Sequence, residues 1–333
     1  MNQKPLYVKV SDILRDDINS GKYKALDKLP SENMLANKYS ISRLTARQAL
    51  SVLVNEGLIE KFQGKGYFCK NSASGKHIHV LLDMTDYYFI PYYIHSIGRV
   101  LEENGATFIA GDTKNSFDEI IKLLEKITAS GSDGIILQVS PEESFDKEKI
   151  SNAFKKLEEK KIPIIQIDAD YGVDGVSYTI MNEEKMGFTA ANYFKDSGHS
   201  KIAAVYVTDN RICVQRLGAF IKEFDNPYII YDDDLLKENL IKAYNEGVTG
   251  IFCYSDFVAK KCIDVFSSLN IKIPENISLI SADDTLVSKL YKLTAMTHAK
   301  EALGEFAAKA IISNQLPVYK IFDTSLIERN SVK

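Results

Sequence analysis

The chain has 333 residues, enough for two or three domains, and its hydrophobic content of 45% is typical of a protein that buries an apolar core. It contains no run of eighteen apolar residues, and its N-terminus lacks the apolar stretch of a secretory signal, so we expect a cytoplasmic protein without a membrane partner. The net charge of −4 is uneven, because residues 1–70 carry 12 basic and 7 acidic side chains, a balance of +5, which leaves 29 and 38, a balance of −9, for the remainder. This asymmetry fits a nucleic-acid contact near the N-terminus.

The cysteines and histidines show no metal-binding spacing. Four cysteines, Cys69, Cys213, Cys253 and Cys262, form no CxxC pair and are expected to be buried as small apolar side chains. His77 and His79 alternate on one predicted strand, but no third ligand lies near them in the sequence. The sequence therefore predicts neither a metal site nor a cofactor.

Two short helices are predicted near the N-terminus. Ser31 follows a proline and can cap a helix over residues 32–39, with Met34 and Leu35 pointing inward. Ser42 can cap a second helix that extends to residue 56, where the next residue, Gly57, supplies a left-handed conformation that ends it. Together these signals predict a helix-turn-helix.

The second helix combines an apolar stripe with a basic face. The stripe consists of Ala46, Ala49, Leu50 and Leu53. Arg43 and Arg47 lie four residues apart and project together from another face, where guanidinium groups can reach guanine edges or phosphates. Residues 58–60 and 67–69 are predicted to be strands joined by the glycine-containing tip 63–66, whose Lys65 adds charge, as in the wing of a winged helix.

Residues 6–68 resemble the DNA-binding domain of GntR-type bacterial transcription regulators. The resemblance rests on the LPSE segment at 29–32, SRLTARQAL at 42–50, EGLI at 56–59 and GKGYF at 64–68. It places the DNA-binding residues at Ser31, Asn33, Ser42, Arg43, Thr45, Arg47, Gln63, Gly64 and Lys65. Asn33 departs from the family, which usually has a basic residue there, so one customary DNA contact is expected to be shortened or lost.

Beyond a polar linker at 71–76, short apolar segments alternate with amphipathic helical stretches. The predicted strands are 78–82, 107–110, 134–139, 162–167, 202–207, 250–254 and 277–281. The predicted helices are 92–103, 117–129, 149–160, 183–196, 216–223, 235–245 and 256–269. Such alternation predicts a doubly wound α/β fold with mainly parallel sheets.

Polar side chains follow the predicted strands, at the edge where parallel sheets bind ligands. This observation singles out Gln138, Asp168, Arg216, Ser255 and Asp283, with the aromatic stretch Tyr87, Tyr88 and Tyr92 nearby. Aromatic rings cover the apolar faces of a sugar and charged groups bind its hydroxyls, so the set fits a polyhydroxylated ligand. The carboxylates could equally be helix caps, and the tyrosines could equally belong to a core or a dimer contact.

Residues 77 to about 323 resemble the effector domain of LacI/GalR-type repressors, which is akin to periplasmic sugar-binding proteins. The stretches that carry the resemblance are IPIIQID at 162–168, GHSKIA at 198–203, RLGAF at 216–220 and IPENISLI at 273–280. It implies two subdomains, about 77–180 with 298–325 and 181–297, in a domain 77–333 that follows a winged helix in 1–70. It also places effector contacts at Asp168, Arg216, Ser255 and Asp283, with the aromatic stretch facing the other side of the ligand. Ser255 stands where an asparagine is usual, so a weaker hydroxyl contact is expected there.

A GntR-type DNA-binding domain joined to a LacI-type effector domain is the architecture of the arabinose repressor subgroup. The resemblance implies a homodimeric repressor of carbohydrate genes that binds a palindromic operator in double-stranded DNA and leaves it when a monosaccharide such as L-arabinose binds. L-Fucose, another sugar or a nucleoside are alternative effectors. A sugar-active enzyme lacks support, because the sequence has no nucleotide-binding glycine motif, serine elbow or HExxH. A transport protein would need a signal peptide and would not need Arg43 and Arg47.

Overall fold

We describe a computed structural model that covers residues 5–19, 22–23, 26–62, 64–69, 75–84 and 89–333. The predicted DNA contact Gln63, the predicted effector contacts Tyr87 and Tyr88, and linker residues 71–74 lie outside these ranges. Among the described residues, no helix is both long and apolar enough to span a bilayer.

The N-terminal unit packs helices against a hairpin. Its described elements are α1 (Leu6–Asn19), α2 (Glu32–Tyr39), α3 (Arg43–Asn55), β1 (Ile59–Phe62) and β2 (Gly66–Cys69). The predicted apolar stripe of α3 is fully buried against Val10 and Leu14 of α1 and Leu35 of α2. The inward orientation expected for Met34 is wrong, since its side chain is 61% exposed. The two-turn helix α2 faces the core with a single row of side chains, and Leu35 is the buried residue of that row.

The rest of the chain is built on two sheets. Its elements are β3 (His77–Leu82), α4 (Ile90–Glu103), β4 (Thr107–Asp112), α5 (Phe117–Ser130), β5 (Gly134–Gln138), α6 (Lys147–Glu159), β6 (Ile164–Asp168), β7 (Ser177–Met181), α7 (Glu183–Asp196), β8 (Ile202–Tyr206), α8 (Arg211–Ile221), β9 (Tyr228–Tyr231), α9 (Leu236–Asn245), β10 (Gly250–Cys253), α10 (Asp256–Ser268), β11 (Ser278–Ser281), α11 (Leu286–Tyr291), β12 (Thr294–Met296), α12 (Lys300–Ser313), β13 (Tyr319–Phe322) and β14 (Leu326–Ile327). The alternation predicted from the sequence is confirmed.

Each sheet defines one lobe. In the first lobe the strand order is β13-β7-β6-β5-β3-β4, and every described pair is parallel. In the second lobe the order is β14-β12-β11-β10-β8-β9, and β14 alone among the described strands of that sheet runs antiparallel. The central strands β5, β8 and β10 are buried along their whole length, as expected for parallel strands covered by helices on both faces.

The chain crosses between the lobes at three points within the described ranges. It leaves the first sheet after β7, returns between β12 and α12, and leaves again between β13 and β14. The carboxyl ends of the parallel strands of both sheets therefore face a common cleft near these crossings.

The largest boundary error concerns α8. This helix begins at Arg211 rather than at Arg216, because the Asn210 side chain caps it by accepting a hydrogen bond of 2.9 Å from the Cys213 amide. The extra turn carries Arg211 to the border of the cleft.

Candidate DNA-binding and effector-binding sites

The recognition helix α3 begins at a well-formed cap. The Ser42 side chain accepts a 3.0 Å hydrogen bond from the Thr45 amide, and the two hydroxyl groups lie 2.8 Å apart. Ser31 caps α2 in the same way, with 3.3 Å from the Met34 amide to its hydroxyl oxygen. Both serines therefore have structural roles as helix caps. The helices that they cap, α2 and α3, each have the positive end of the helix dipole at that cap.

Arg43 and Arg47 project together from α3, as predicted, and both contact Glu32 of α2. Arg43 Nε lies 3.1 Å from Glu32 Oε2, and Arg47 donates to both carboxylate oxygens, at 2.9 and 3.0 Å. The Tyr67 hydroxyl adds a bond of 3.2 Å from β2. The hydrogen bonds from Arg47 are the main cause that lowers the pKa of Glu32 to about 2, against the effect of burial. Glu32 was not among the predicted DNA contacts.

The wing is a short antiparallel hairpin in which Phe62 pairs with Gly66. Gly64 and Gly66 have φ angles of +76° and +111°, which L side chains rarely adopt, so both glycines are required by the turn. Lys65 is exposed at the tip, and its amide donates to the Phe62 carbonyl at 3.1 Å. Asn33, like Arg43 and Arg47, is exposed.

A cavity of about 710 Å³ occupies the cleft between the lobes. Its lining includes five of the predicted effector contacts: Gln138, Asp168, Arg216, Ser255 and Asp283. Tyr92 does not line it; its ring instead lies under the Lys300 ammonium, 5.0 Å from nitrogen to ring centroid. Phe89, which lies within the predicted aromatic stretch, does line the cavity. The lining also includes residues that no sequence signal marked, namely Asn210, Tyr254, Phe257 and His298.

On the first-lobe side, Asp168 is held by hydrogen bonds at the end of β6. The Tyr93 hydroxyl donates to Oδ1 at 2.9 Å, Gln138 Nε2 donates to Oδ2 at 3.1 Å, and His298 Nε2 lies 3.5 Å from Oδ1. Burial would raise the pKa of Asp168, but the contact with His298 and the hydrogen bond from Gln138 outweigh it and lower the pKa. The residue also has a φ of +76°, an uncommon conformation for a non-glycine residue that often marks functional sites.

On the second-lobe side, Arg216 is buried among acidic partners. Its Nε lies 2.6 Å from Glu183 Oε2, its Nη1 lies 2.6 Å from the Tyr254 carbonyl, and Asp283 Oδ1 is 3.5 Å away. Burial would lower the pKa of Arg216, but the charges of Glu183 and Asp283 raise it instead. Burial likewise raises the pKa of Asp283 to about 6, against the effect of Arg216.

The N-terminus of α10 holds two further polar groups in place. Ser255 caps α10, accepting a 3.2 Å bond from the Val258 amide, and Asp283 Oδ2 accepts a 3.1 Å bond from the Asp256 amide. Aromatic surfaces complete the cavity, where Phe89 stacks on His298 with 4.8 Å between ring centroids. Apolar rings beside paired charged groups suit a ligand with both hydroxyl groups and apolar faces. In the described part of the chain, no cluster of three or more His, Cys, Asp or Glu side chains could hold a metal ion.

The fold and these two sites define a GntR-type transcription regulator with a periplasmic-binding-protein-like effector domain. Residues 6–69 match the family of bacterial regulatory proteins of the gntR type, and residues 191–332 match the periplasmic-binding-protein-like domain. Among solved structures, the transcriptional regulator CelR in complex with cellobiose aligns with a TM-score of 0.64 at 18% identity, over 91% of this chain and 100% of that one. A LacI-type regulator from Alkaliphilus metalliredigens in complex with D-xylulofuranose gives 0.64 at 18% identity, over 78% and 100%. These two likenesses concern the fold.

Relatives that align over most of the chain identify a more specific family within this class of regulators. The arabinose metabolism transcriptional repressor of Halalkalibacterium halodurans is 31% identical over 312 residues, which cover 86% of this chain and 83% of the relative. That of Geobacillus stearothermophilus is 27% identical and covers 99% and 98%. The chain belongs to this family of DNA-binding transcriptional repressors, and it is not an enzyme.

Proposed function

We propose that this protein represses genes of carbohydrate utilisation and that L-arabinose, bound in the interlobe cavity, releases it from its operator. The main support is that one cavity is lined by Asp168 from the first lobe and by Arg216 and Asp283 from the second. A ligand that bridges these groups gains more in the closed arrangement than in an open one, so it shifts the population towards closure.

The sugar class follows from the chemistry of the lining. Asp168 keeps its charge and accepts hydrogen bonds, while Arg216 is held by Glu183 and can donate to a hydroxyl group. The stacked rings of Phe89 and His298 offer an apolar surface for the C–H face of a sugar ring. The full-length relatives are repressors of arabinose metabolism, which favours L-arabinose over L-fucose, another sugar or a nucleoside.

DNA binding belongs to residues 1–70, joined by the linker 71–76 to the effector domain 77–333 with its lobes at about 77–180 with 298–325 and 181–297. We assign operator contact to the face that carries Arg43, Arg47 and Lys65. Two copies would contact the two half-sites of a palindromic operator in double-stranded DNA. The effector domain offers exposed apolar side chains for a homodimer contact, including Ile109 on the edge strand β4 and Leu290 on α11, 53% and 69% exposed.

Thermal unfolding with a panel of sugars tests the effector assignment. At 100 times its dissociation constant, a ligand that binds the folded state alone stabilises it by about 2.7 kcal/mol. L-Arabinose is expected to raise the unfolding temperature, with D-arabinose, L-fucose, D-xylose and adenosine as comparisons. If L-fucose or adenosine raises the unfolding temperature and L-arabinose does not, that compound would replace L-arabinose as the proposed effector. If no compound raises the unfolding temperature, the cavity does not bind a sugar.

A further inference from the structure

A second interlobe contact lies at the rim of the cavity and is centred on Arg211. This residue is the first of α8 in the second lobe, yet its guanidinium donates to two carbonyl oxygens of the first lobe. Nη1 lies 2.6 Å from the Asp170 oxygen and Nη2 lies 3.2 Å from the Ser140 oxygen. These carbonyls follow β6 and β5, so one side chain connects α8 to the ends of two strands of the opposite lobe.

The same guanidinium lies between two aromatic rings of the first lobe. Its central carbon is 5.1 Å from the ring centroid of Phe145 and 5.2 Å from that of Tyr171. Burial lowers the pKa of Arg211, and the side chain's Nε has no hydrogen-bond partner among the described residues. A planar cation can occupy such a site because aromatic faces attract it and because it is more weakly hydrated than an ammonium group.

Two hydrogen bonds donated by backbone amides reinforce this rim. The Arg211 amide donates to the Pro141 carbonyl at 2.8 Å, and the Glu143 amide donates to Asp209 Oδ1 at 3.0 Å. Both connect the segment after β5 with the first residue of α8 or the residues just before it. Separation of the lobes would break all these contacts together and would withdraw a cation from its aromatic cage.

We propose that Arg211, caged by Phe145 and Tyr171, is a latch that holds the effector domain closed and so positions the cavity for its ligand. The latch is next to the cavity without being part of it: Pro141, Asn210 and Ile212 line the cavity, and Arg211 does not. It therefore acts on affinity through the fraction of closed protein, because the apparent dissociation constant is the intrinsic one divided by that fraction. The proposal rests on the proposed function only in that the closed cleft receives an effector.

Hydrogen exchange of the ligand-free, full-length protein tests the latch without any sugar. Arg211→Gln is expected to raise the exchange rates of the backbone amides of residues 211 and 143 by roughly tenfold or more, because a desolvated cation–π contact has been lost. The amides of β8 should be unchanged. Arg99→Gln, which removes an arginine from ion pairs on one lobe, is the matched control. Unchanged exchange at Arg211 and Glu143 would overturn the proposal.

Two further variants separate a latch from a general structural role. Phe145→Leu leaves Arg211 in place but removes one wall of the cage, and it should raise the same two exchange rates if Arg211→Gln fails to fold. Arg211→Lys keeps the charge but loses the planar stacking, so it should fall between the wild type and Arg211→Gln. A lysine variant no better than the glutamine variant would show that the cationic contact does not hold the lobes.

Titration with L-arabinose adds the functional consequence. Arg211→Gln should weaken binding by roughly tenfold while leaving the pocket side chains unchanged. If the wild type does not bind L-arabinose, the effector assignment fails, but the exchange experiment still decides on the latch. If L-arabinose binds the wild type and Arg211→Gln equally well, the latch does not control closure.

Discussion

Arg47 donates two hydrogen bonds to the Glu32 carboxylate, from Nε to Oε1 at 2.9 Å and from Nη2 to Oε2 at 3.0 Å. The pair joins the first turn of α2 to the exposed face of α3, and Arg43 reaches the same carboxylate. Glu32 therefore orders both arginines before any DNA arrives, which reduces the side-chain entropy that operator binding would otherwise cost.

The ionisation of Glu32 gives the N-terminal unit a specific acid sensitivity. Its pKa is lowered from 4.5 to about 2 by Arg47 first, so its stabilising contribution is complete above pH 4.5 and is lost as the pH falls towards 2. Glu32→Gln should remove this dependence. The check is the exchange rate of α3 amides in the variant relative to wild type at matched pH, with Glu60→Gln as control. A wild-type to Glu32→Gln ratio that stays constant from pH 5.5 to 2.5 would contradict the assignment.

Substitution of the α3 arginines should weaken DNA binding without affecting the effector cavity. Arg43→Ala and Arg47→Ala are each expected to cost about 1 to 3 kcal/mol of operator affinity. Lys65→Ala should instead reduce the salt slope by roughly one, as loss of a phosphate contact would. Anisotropy of labelled operator DNA at several salt concentrations measures both effects, with Arg99→Ala as control. If both arginine variants bind the operator as tightly as the wild type at matched salt, α3 does not contact the operator.

Loss of one charged group in the cavity should uncouple DNA binding from the sugar. Asp168→Ala, Arg216→Ala and Asp283→Ala should each abolish release by sugar while the protein still binds its operator, because the remaining buried partners lose about 1 to 3 kcal/mol of pairing. Asp264→Ala, on the exposed face of α10, is the control. Normal release by all three cavity variants would place the effector elsewhere.

Gly187 on α7 permits the close approach of α8 that positions Arg216. A Cβ at residue 187 would overlap the Arg216 carbonyl oxygen and lie 2.9 Å from the Phe220 nitrogen, so Gly187→Ala must displace the helix. We expect a loss of about 1 to 3 kcal/mol in unfolding free energy and weaker sugar binding. Gly218→Ala on α8 meets no atom within 4 Å and should retain both properties. Equal unfolding temperatures for the two variants would contradict this packing argument.

Sequence patterns predicted the cleft from one kind of signal, polar residues at strand ends. Gln138 and Asp168 are the last residues of central strands with clear apolar runs, and Asp283 follows another such strand; parallel pairing brings these strand ends together. His298 lies in a crossing between lobes and Glu183 opens a helix, where an acidic residue is ordinary. Neither position carries a local signal, so only the tertiary fold reveals their contacts with Asp168 and Arg216.

Several of the elements that escaped prediction lack a strong period, although α1, which was also not predicted, buries Val10 and Leu14 on one face. Strand β13 is an edge strand that is largely exposed, and β7 alternates polar residues into buried positions. Helix α12 is rich in alanine, and its Gly304 packs against Ser96 of α4, so its buried face lacks a stripe of large apolar residues. Their places are determined by contacts distant in the sequence.

Release of the full-length repressor from its own operator by a sugar is the most direct test of the account. Duplexes selected from a random pool by the protein itself supply the operator, and fluorescence anisotropy follows binding with and without L-arabinose, with D-arabinose as the matched stereoisomer. We expect selected sequences with inverted repeats and an affinity that falls roughly 5- to 150-fold in L-arabinose, with no such fall for Arg216→Ala. An operator affinity that no sugar changes would contradict release of the repressor by a sugar effector.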